Sequence, residues 1–205
     1  MSLIERILRN AWQRPAVIAL TGAGLLGCQP SNDAAVDSFS FAGARVSDER
    51  TPSAGARAEM HLIEDDSSIG EIEFSSTADG TLEITAQLNA IEPGLHGIHI
   101  HESGDCSGEN ASAAGDHFSP DGDPHGAPAD SPDAHHAGDL GNLTVSRSGS
   151  AEMRMTDEEL SLGGRFGVVD RAIVIHAGED DLTTQPSGDS GDPIACGVIR
   201  STARG

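Results

Sequence analysis

Lysine and tyrosine are missing from this sequence altogether, tryptophan occurs once, and aromatic residues make up only 3% of the chain. A core built on large rings is therefore excluded. Valine, isoleucine, leucine and alanine must fill it. All twelve basic residues are arginine, set against 33 acidic ones, for a net charge of -21. So acidic a surface repels nucleic acid and anionic lipid headgroups, and neither is an expected partner. The acidic residues are spread along the chain, which reads as a solvated acidic face. Long apolar runs are lacking too, and so is strong helical periodicity. Glycine, by contrast, is plentiful at 25 residues and favours a turn-rich architecture.

The first segment carries an address. Arg6, Arg9 and Arg14 give a positive start, and residues 16–26 form a short apolar stretch, too short to span a bilayer. Leu25-Leu26-Gly27-Cys28 follows, similar to a bacterial lipobox in which the cysteine is lipidated. We expect residues 1–27 to be a signal peptide and residues 28–55 a flexible tether anchored through lipid on Cys28. The protein would then sit at a bacterial cell envelope, facing periplasm or exterior, held to a membrane without entering it. Three arginines and one glutamate leave with residues 1–27, so -21 becomes -23 in the mature chain. With Cys28 set aside, two cysteines remain, Cys106 and Cys196, and in an exported protein that suggests one disulfide.

Residues 56–205 read as one domain. Alternation with period two marks strands at 58–64, 70–74, 81–88, 97–101, 140–145, 150–155, 172–176 and 195–200. Turns such as Ala78-Asp79-Gly80 separate them. Eight short strands with no helical pattern argue for an all-β antiparallel sandwich or flattened barrel. Two connections, 102–139 and 177–194, are too long for turns, and long ordered loops inside a domain usually serve function.

Histidine is concentrated: eight of the nine lie between positions 96 and 176. His99 and His101, at i and i+2 on one strand, share a face and stand roughly 7 Å apart, within reach of one ion. The first long loop adds His117, His125, His135, His136 and Asp139, and His176 ends a strand that opens into the second. Neutral imidazoles with a carboxylate suit zinc or copper.

These pieces resemble the copper/zinc superoxide dismutase family. The matching runs are His96-Gly-Ile-His99-Ile-His101-Glu, Gly115-Asp-His117-Phe-Ser-Pro120, His125-Gly-Ala-Pro, His136-Ala-Gly-Asp139-Leu-Gly-Asn142, Val174-Ile-His176-Ala-Gly-Glu-Asp180-Asp181-Leu and Ala195-Cys196-Gly-Val-Ile199. They keep the family's order over about residues 57–200. The resemblance implies an eight-stranded Greek-key barrel with two functional loops, a Cys106–Cys196 disulfide, and either a monomer or a homodimer. It implies copper on His99, His101, His117 and His176. Zinc would sit on His117, His125, His136 and Asp139, with His117 the catalytic bridge. Asp180 would link a copper histidine to a zinc histidine. His135 is not expected to be a ligand, and His96 is expected to bond loop backbone.

One departure stands out. The family usually carries an arginine three residues before the second disulfide cysteine, where it attracts superoxide. Pro193 stands there instead, beside Asp192, and no basic residue lies between Arg171 and Arg200. Superoxide dismutase activity is implied, slowed by about one to two orders of magnitude through loss of that cation. The alternative is a copper- and zinc-binding envelope protein with little dismutation.

Overall fold

A computed structural model describes residues 55–129 and 131–202 of the chain. The expected signal peptide, the lipid on Cys28 and the tether up to residue 54 lie outside the described residues.

The alternating segments form β1 (Gly55–Leu62), β2 (Ser68–Ser76), β3 (Leu82–Leu88), β4 (Gly94–His101), β5 (Asp139–Val145), β6 (Ala151–Asp157), β7 (Ala172–His176) and β8 (Pro193–Val198). In β3 the period is plain: Leu82, Ile84, Ala86 and Leu88 turn inward, while Glu83, Thr85 and Gln87 face out or sit half-buried. All pairings among the named strands are antiparallel, in the order β5-β4-β7-β8-β1-β2-β3-β6. The chain jumps from one half of this order to the other between β3 and β4, as in a Greek key. The end strands β5 and β6 are consecutive in sequence and come together, so the sheet nearly closes into a barrel.

The core is aliphatic, as the shortage of rings requires. Ile72, Leu82, Ile84, Ile98, Ile100, Leu143, Ile173 and Ile175 are all fully buried, with Phe74 the main ring among them. Each such side chain contributes about 1.5–3 kcal/mol through burial.

All eight expected strands exist. The last is displaced: it begins at Pro193 and stops at Val198. Ile199 leaves the β7 ladder, giving its N–H to Arg171 O and accepting from the Asp170 N–H, both at 2.9 Å. That turns Arg200–Ser201 onto β1 as a ninth, two-residue strand, β9. Both long connections are present, between His101 and Asp139 and between His176 and Pro193. The first holds two 3-10 segments, Glu109–Ala114 and Pro132–Ala134, which the alternation did not reveal.

Strands β4 and β7 position the site, because they are buried on both faces. From His96 to His101 every residue is buried, and so is all of β7. Ile98, Ile100, Ile173 and Ile175 point to the barrel core. Ala172, Val174 and Cys196 lie on the other face in a second small cluster with Ala111 and Ala114 of the first loop. The disulfide Cys106–Cys196 fastens that loop across this face, with Cα atoms 5.9 Å apart and 90 residues between them.

Candidate metal centre

The outer face of β4 presents His99 and His101, and the end of β7 presents His176 on the same side. Register irregularities fall between Gly97 and His99 and between Ile175 and His176. Such bulges re-aim the side chain that follows. The first loop brings His117 to the same place by extending the ladder. Phe118 N–H donates to Ile100 O at 2.8 Å, and Glu102 N–H to Asp116 O at 3.0 Å, on either side of His101. Arg171 braces both segments: its Nη1 donates to Glu102 O at 2.7 Å, and its guanidinium lies 3.4 Å from the centre of the Phe118 ring.

Two four-residue groups result. His99, His101, His117 and His176 form one; His117, His125, His136 and Asp139 form the other, and all are buried. Within each group the donor atoms lie within 4.8 Å of one another, so each could hold a metal ion. These are the two sets expected from the sequence, sharing His117. His135 is buried but directs Nδ1 to His136 O and belongs to neither group. His96 spends both nitrogens on backbone, giving one 2.8 Å contact to His176 O and another to Glu92 O.

Hydrogen bonding sets which nitrogen of each ring is free. His101 Nδ1 donates to Gly115 O at 2.8 Å, and His176 Nδ1 to Gly191 O at 2.9 Å. Asp180 accepts from two rings at once: from His99 Nε2 on Oδ2 at 2.7 Å and from His125 Nε2 on Oδ1 at 2.9 Å. An acceptor faces a protonated ring nitrogen, so in a neutral ring the opposite nitrogen carries a lone pair. Those opposite atoms, His99 Nδ1, His101 Nε2, His176 Nε2 and His125 Nδ1, are buried without a hydrogen-bond partner, and so is His117 Nε2. Five orphaned imidazole nitrogens in one cluster are costly unless something else engages them.

The second group surrounds Asp139. Its Oδ1 lies 2.8 Å from His117 Nδ1 and 3.2 Å from His136 Nδ1, and its Oδ2 lies 3.0 Å from His125 Nδ1, out of line for a hydrogen bond. Ligands held tetrahedrally at zinc distances stand roughly 3.3 Å apart, and this donor set is close to that spacing. Three imidazoles and a carboxylate suit zinc; four imidazoles with no carboxylate suit copper. The residues fit both ions.

Electrostatics keep the donors ready. Burial pushes the His99 imidazole down to about 3 and His101 to about 4, and lowers His176 as well. All three rings are thus neutral near pH 7. Burial alone would raise the Asp139 carboxyl, but hydrogen bonds from His117 and His136 outweigh it and hold it well below the usual carboxylate range. Asp180 follows the same logic: burial is outweighed by hydrogen bonds from His99, the Leu182 N–H and His125.

Several supporting residues have roles that neither period nor motif reveals. Asn142 on β5 holds the backbone of Asp180 at both ends, Nδ2 donating to Asp180 O and Oδ1 accepting from its N–H, each at 2.8 Å. Gly188, at φ +70°, packs so closely on Asp180 and His125 that a Cβ would strike Asp180 Oδ1 and come within 2.6 Å of His125 Nε2. Pro193 opens β8 opposite His176. It also lines a cavity of about 580 Å³ with Arg147, Glu64 and Glu92. Arg147 is the one cation among that cavity's lining residues, and two carboxylates accompany it.

Comparison with known proteins agrees with this geometry. The family described as copper/zinc superoxide dismutase (SODC) matches residues 68–199. The crystal structure of the clock protein EA4 is similar at 32% identity and TM-score 0.66, covering 73% of this chain and 96% of that one. A SOD-like protein from Bacillus subtilis is similar at 34% identity and TM-score 0.62, covering 69% and 95%. A double mutant of a SOD-like protein from the same organism gives 37% identity and TM-score 0.63, covering 69% and 94%. A nearly closed Greek-key barrel with two histidine groups joined at one ring defines the class. The chain belongs to the copper/zinc superoxide dismutase family.

Proposed function

We propose that the protein is a superoxide dismutase. Copper would be held by His99, His101, His117 and His176, and zinc by His117, His125, His136 and Asp139. The observation that carries this reading is the shared ring of His117: Nδ1 faces Asp139, while Nε2 is buried and partnerless among the first group. When bound, copper supplies reversible one-electron chemistry and zinc a fixed positive charge.

The overall reaction converts two superoxide anions and two protons to oxygen and hydrogen peroxide. The chain's own residues orient the donors and manage a proton. Asp180 holds His99 and His125 in one tautomer each, tying the two groups together. His117 Nε2 is the atom on which the chain can hold a proton and hand it to the departing peroxide. The first loop is fastened by Cys106–Cys196, and the rings of both groups are buried.

A second reading is favoured by one observation. Pro193 occupies the position of the family's guiding arginine, next to exposed Asp192. On that reading the protein stores or carries the two metals and dismutes little. The first reading is better supported, because a metal-holding role needs neither the shared ring nor the Asp180 link. The same proposal includes export, with residues 1–27 removed and lipid on Cys28 anchoring the domain at the cell envelope; the Arg-rich start and the lipobox-like Leu25–Cys28 support it. Superoxide decay after pulse radiolysis, with and without the copper- and zinc-loaded protein, tests the enzymatic reading. Decay no faster than the spontaneous reaction contradicts it.

A further inference from the structure

The loop between β7 and β8 reaches the second histidine group through one side chain that no family role accounts for. Gln185 faces the backbone of His125 as a strand partner would. Its Oε1 accepts from the His125 N–H at 2.9 Å, and its Nε2 donates to His125 O at 2.8 Å. These contacts cross 60 residues of sequence. The His125 ring is then held at its far end by Asp180 of the same loop.

We infer that Gln185 is a positioning residue for the zinc site, clamping the His125 peptide so that Nδ1 of the ring stays aimed at Asp139. This rests on the assignment of zinc to that group. Three facts support it. His125 follows Pro124 in a stretch without regular structure, so no strand ladder supplies its backbone partners. The ring pivots about bonds that begin at this backbone. Holding N–H, C=O and Nε2 together leaves the ring no free rotation, whereas Asp180 alone would fix only its tip. Within the loop, the Asp181 carboxylate accepts from the N–H groups of Thr183 and Thr184, at 2.9 Å and 2.7 Å. Gly188 N–H donates to Thr184 O at 2.7 Å and the Asp181 N–H to Gly188 O at 2.9 Å. Gln185 therefore projects from a turn whose shape is already set. Partners that orient a metal ligand are typically worth ten- to hundredfold in metal affinity.

The test needs no superoxide. Zinc affinity of the full protein is measured by competition with a chelator, and exchange of the His125 amide by hydrogen exchange, for the parent, Gln185→Leu, Gln185→Ala and Thr183→Ala. Leucine approximates glutamine in bulk but has neither donor nor acceptor. Thr183 lies in the same loop, and its hydroxyl contacts only Asp181. We expect both Gln185 variants to bind zinc about tenfold more weakly and to exchange the His125 amide faster, with Thr183→Ala matching the parent. Zinc affinity within twofold of the parent in Gln185→Leu overturns the inference. So does an equal loss in Thr183→Ala, which would mean general loosening of the loop. A rapidly exchanging His125 amide in the zinc-loaded parent overturns it without any variant. A parent that binds zinc tightly yet fails to dismute would sink the enzymatic reading alone.

Discussion

Pro193 stands opposite His176 across the β7–β8 pair, immediately beyond the irregularity at Ile175. The residue three before Cys196 is therefore beside the first histidine group in space, although far from it along the chain. A cation there would face an incoming anion at close range. As the first residue of β8, Pro193 is also a position where a missing N–H is tolerated.

Pro193→Arg should accelerate superoxide decay by the loaded protein about ten- to hundredfold, and the gain should shrink as salt is raised. Pulse radiolysis at low and high ionic strength measures both. A variant no faster than the parent would mean that capture here does not depend on a positive charge at this place.

Asp180→Asn should weaken both metal sites together. An amide offers one acceptor and one donor, whereas His99 Nε2 and His125 Nε2 both donate to the carboxylate. One ring must turn or change tautomer. Copper and zinc affinities should each fall about ten- to hundredfold by chelator competition. Loss at one site with the other untouched would contradict the proposed link.

Much of this was legible in the sequence, and the limits are physical. The strands of the β1-β2-β3-β6 side alternate because one face is wet, so period two marks them. The i, i+2 placement of His99 and His101 follows from the same period. On β4 and β7 both faces are buried, so burial does not alternate there, and only the apolar-versus-histidine pattern tells the faces apart. The bulge at 175/176 has no residue-type signature, whereas Gly97, a glycine inside a strand, marks the one at 97/99. The clamps from Asn142 and Gln185 span 38 and 60 residues and join side chains to backbone, a pairing no periodicity encodes. Asn142 was visible as part of a matching motif, without its role. The displaced end of β8 depends on where Ile199 finds its partners, which is a tertiary matter.

The metal-free protein should lose stability on mild acidification. Histidines in the unfolded chain titrate near 6.5, whereas burial holds His99 at about 3 and His101 at about 4 in the fold. Between those values the unfolded state binds more protons, so stability is retained above about pH 6.5 and declines as pH falls toward 4. Urea midpoints at pH 7.5 and 5 in excess chelator should therefore differ more for the parent than for His99→Gln. Equal differences would show that His99 does not contribute to the slope.

The disulfide should matter as much to the fold as to the loop it fastens. Closing about 90 residues is worth roughly 4–5 kcal/mol in the chain-entropy description. Replacing Cys106 and Cys196 with serine should lower unfolding free energy by several kcal/mol and speed amide exchange over residues 102–138. A loss under about 1 kcal/mol would indicate that the loop is held by its ladder contacts alone.

The most direct test of the central claim compares three preparations of the same protein by pulse radiolysis: metal-free, zinc only, and copper with zinc. Superoxide should disappear faster than its spontaneous decay only in the third, with the rate proportional to protein concentration. Spontaneous decay in all three would contradict a dismutase and leave a metal-holding protein on the same barrel.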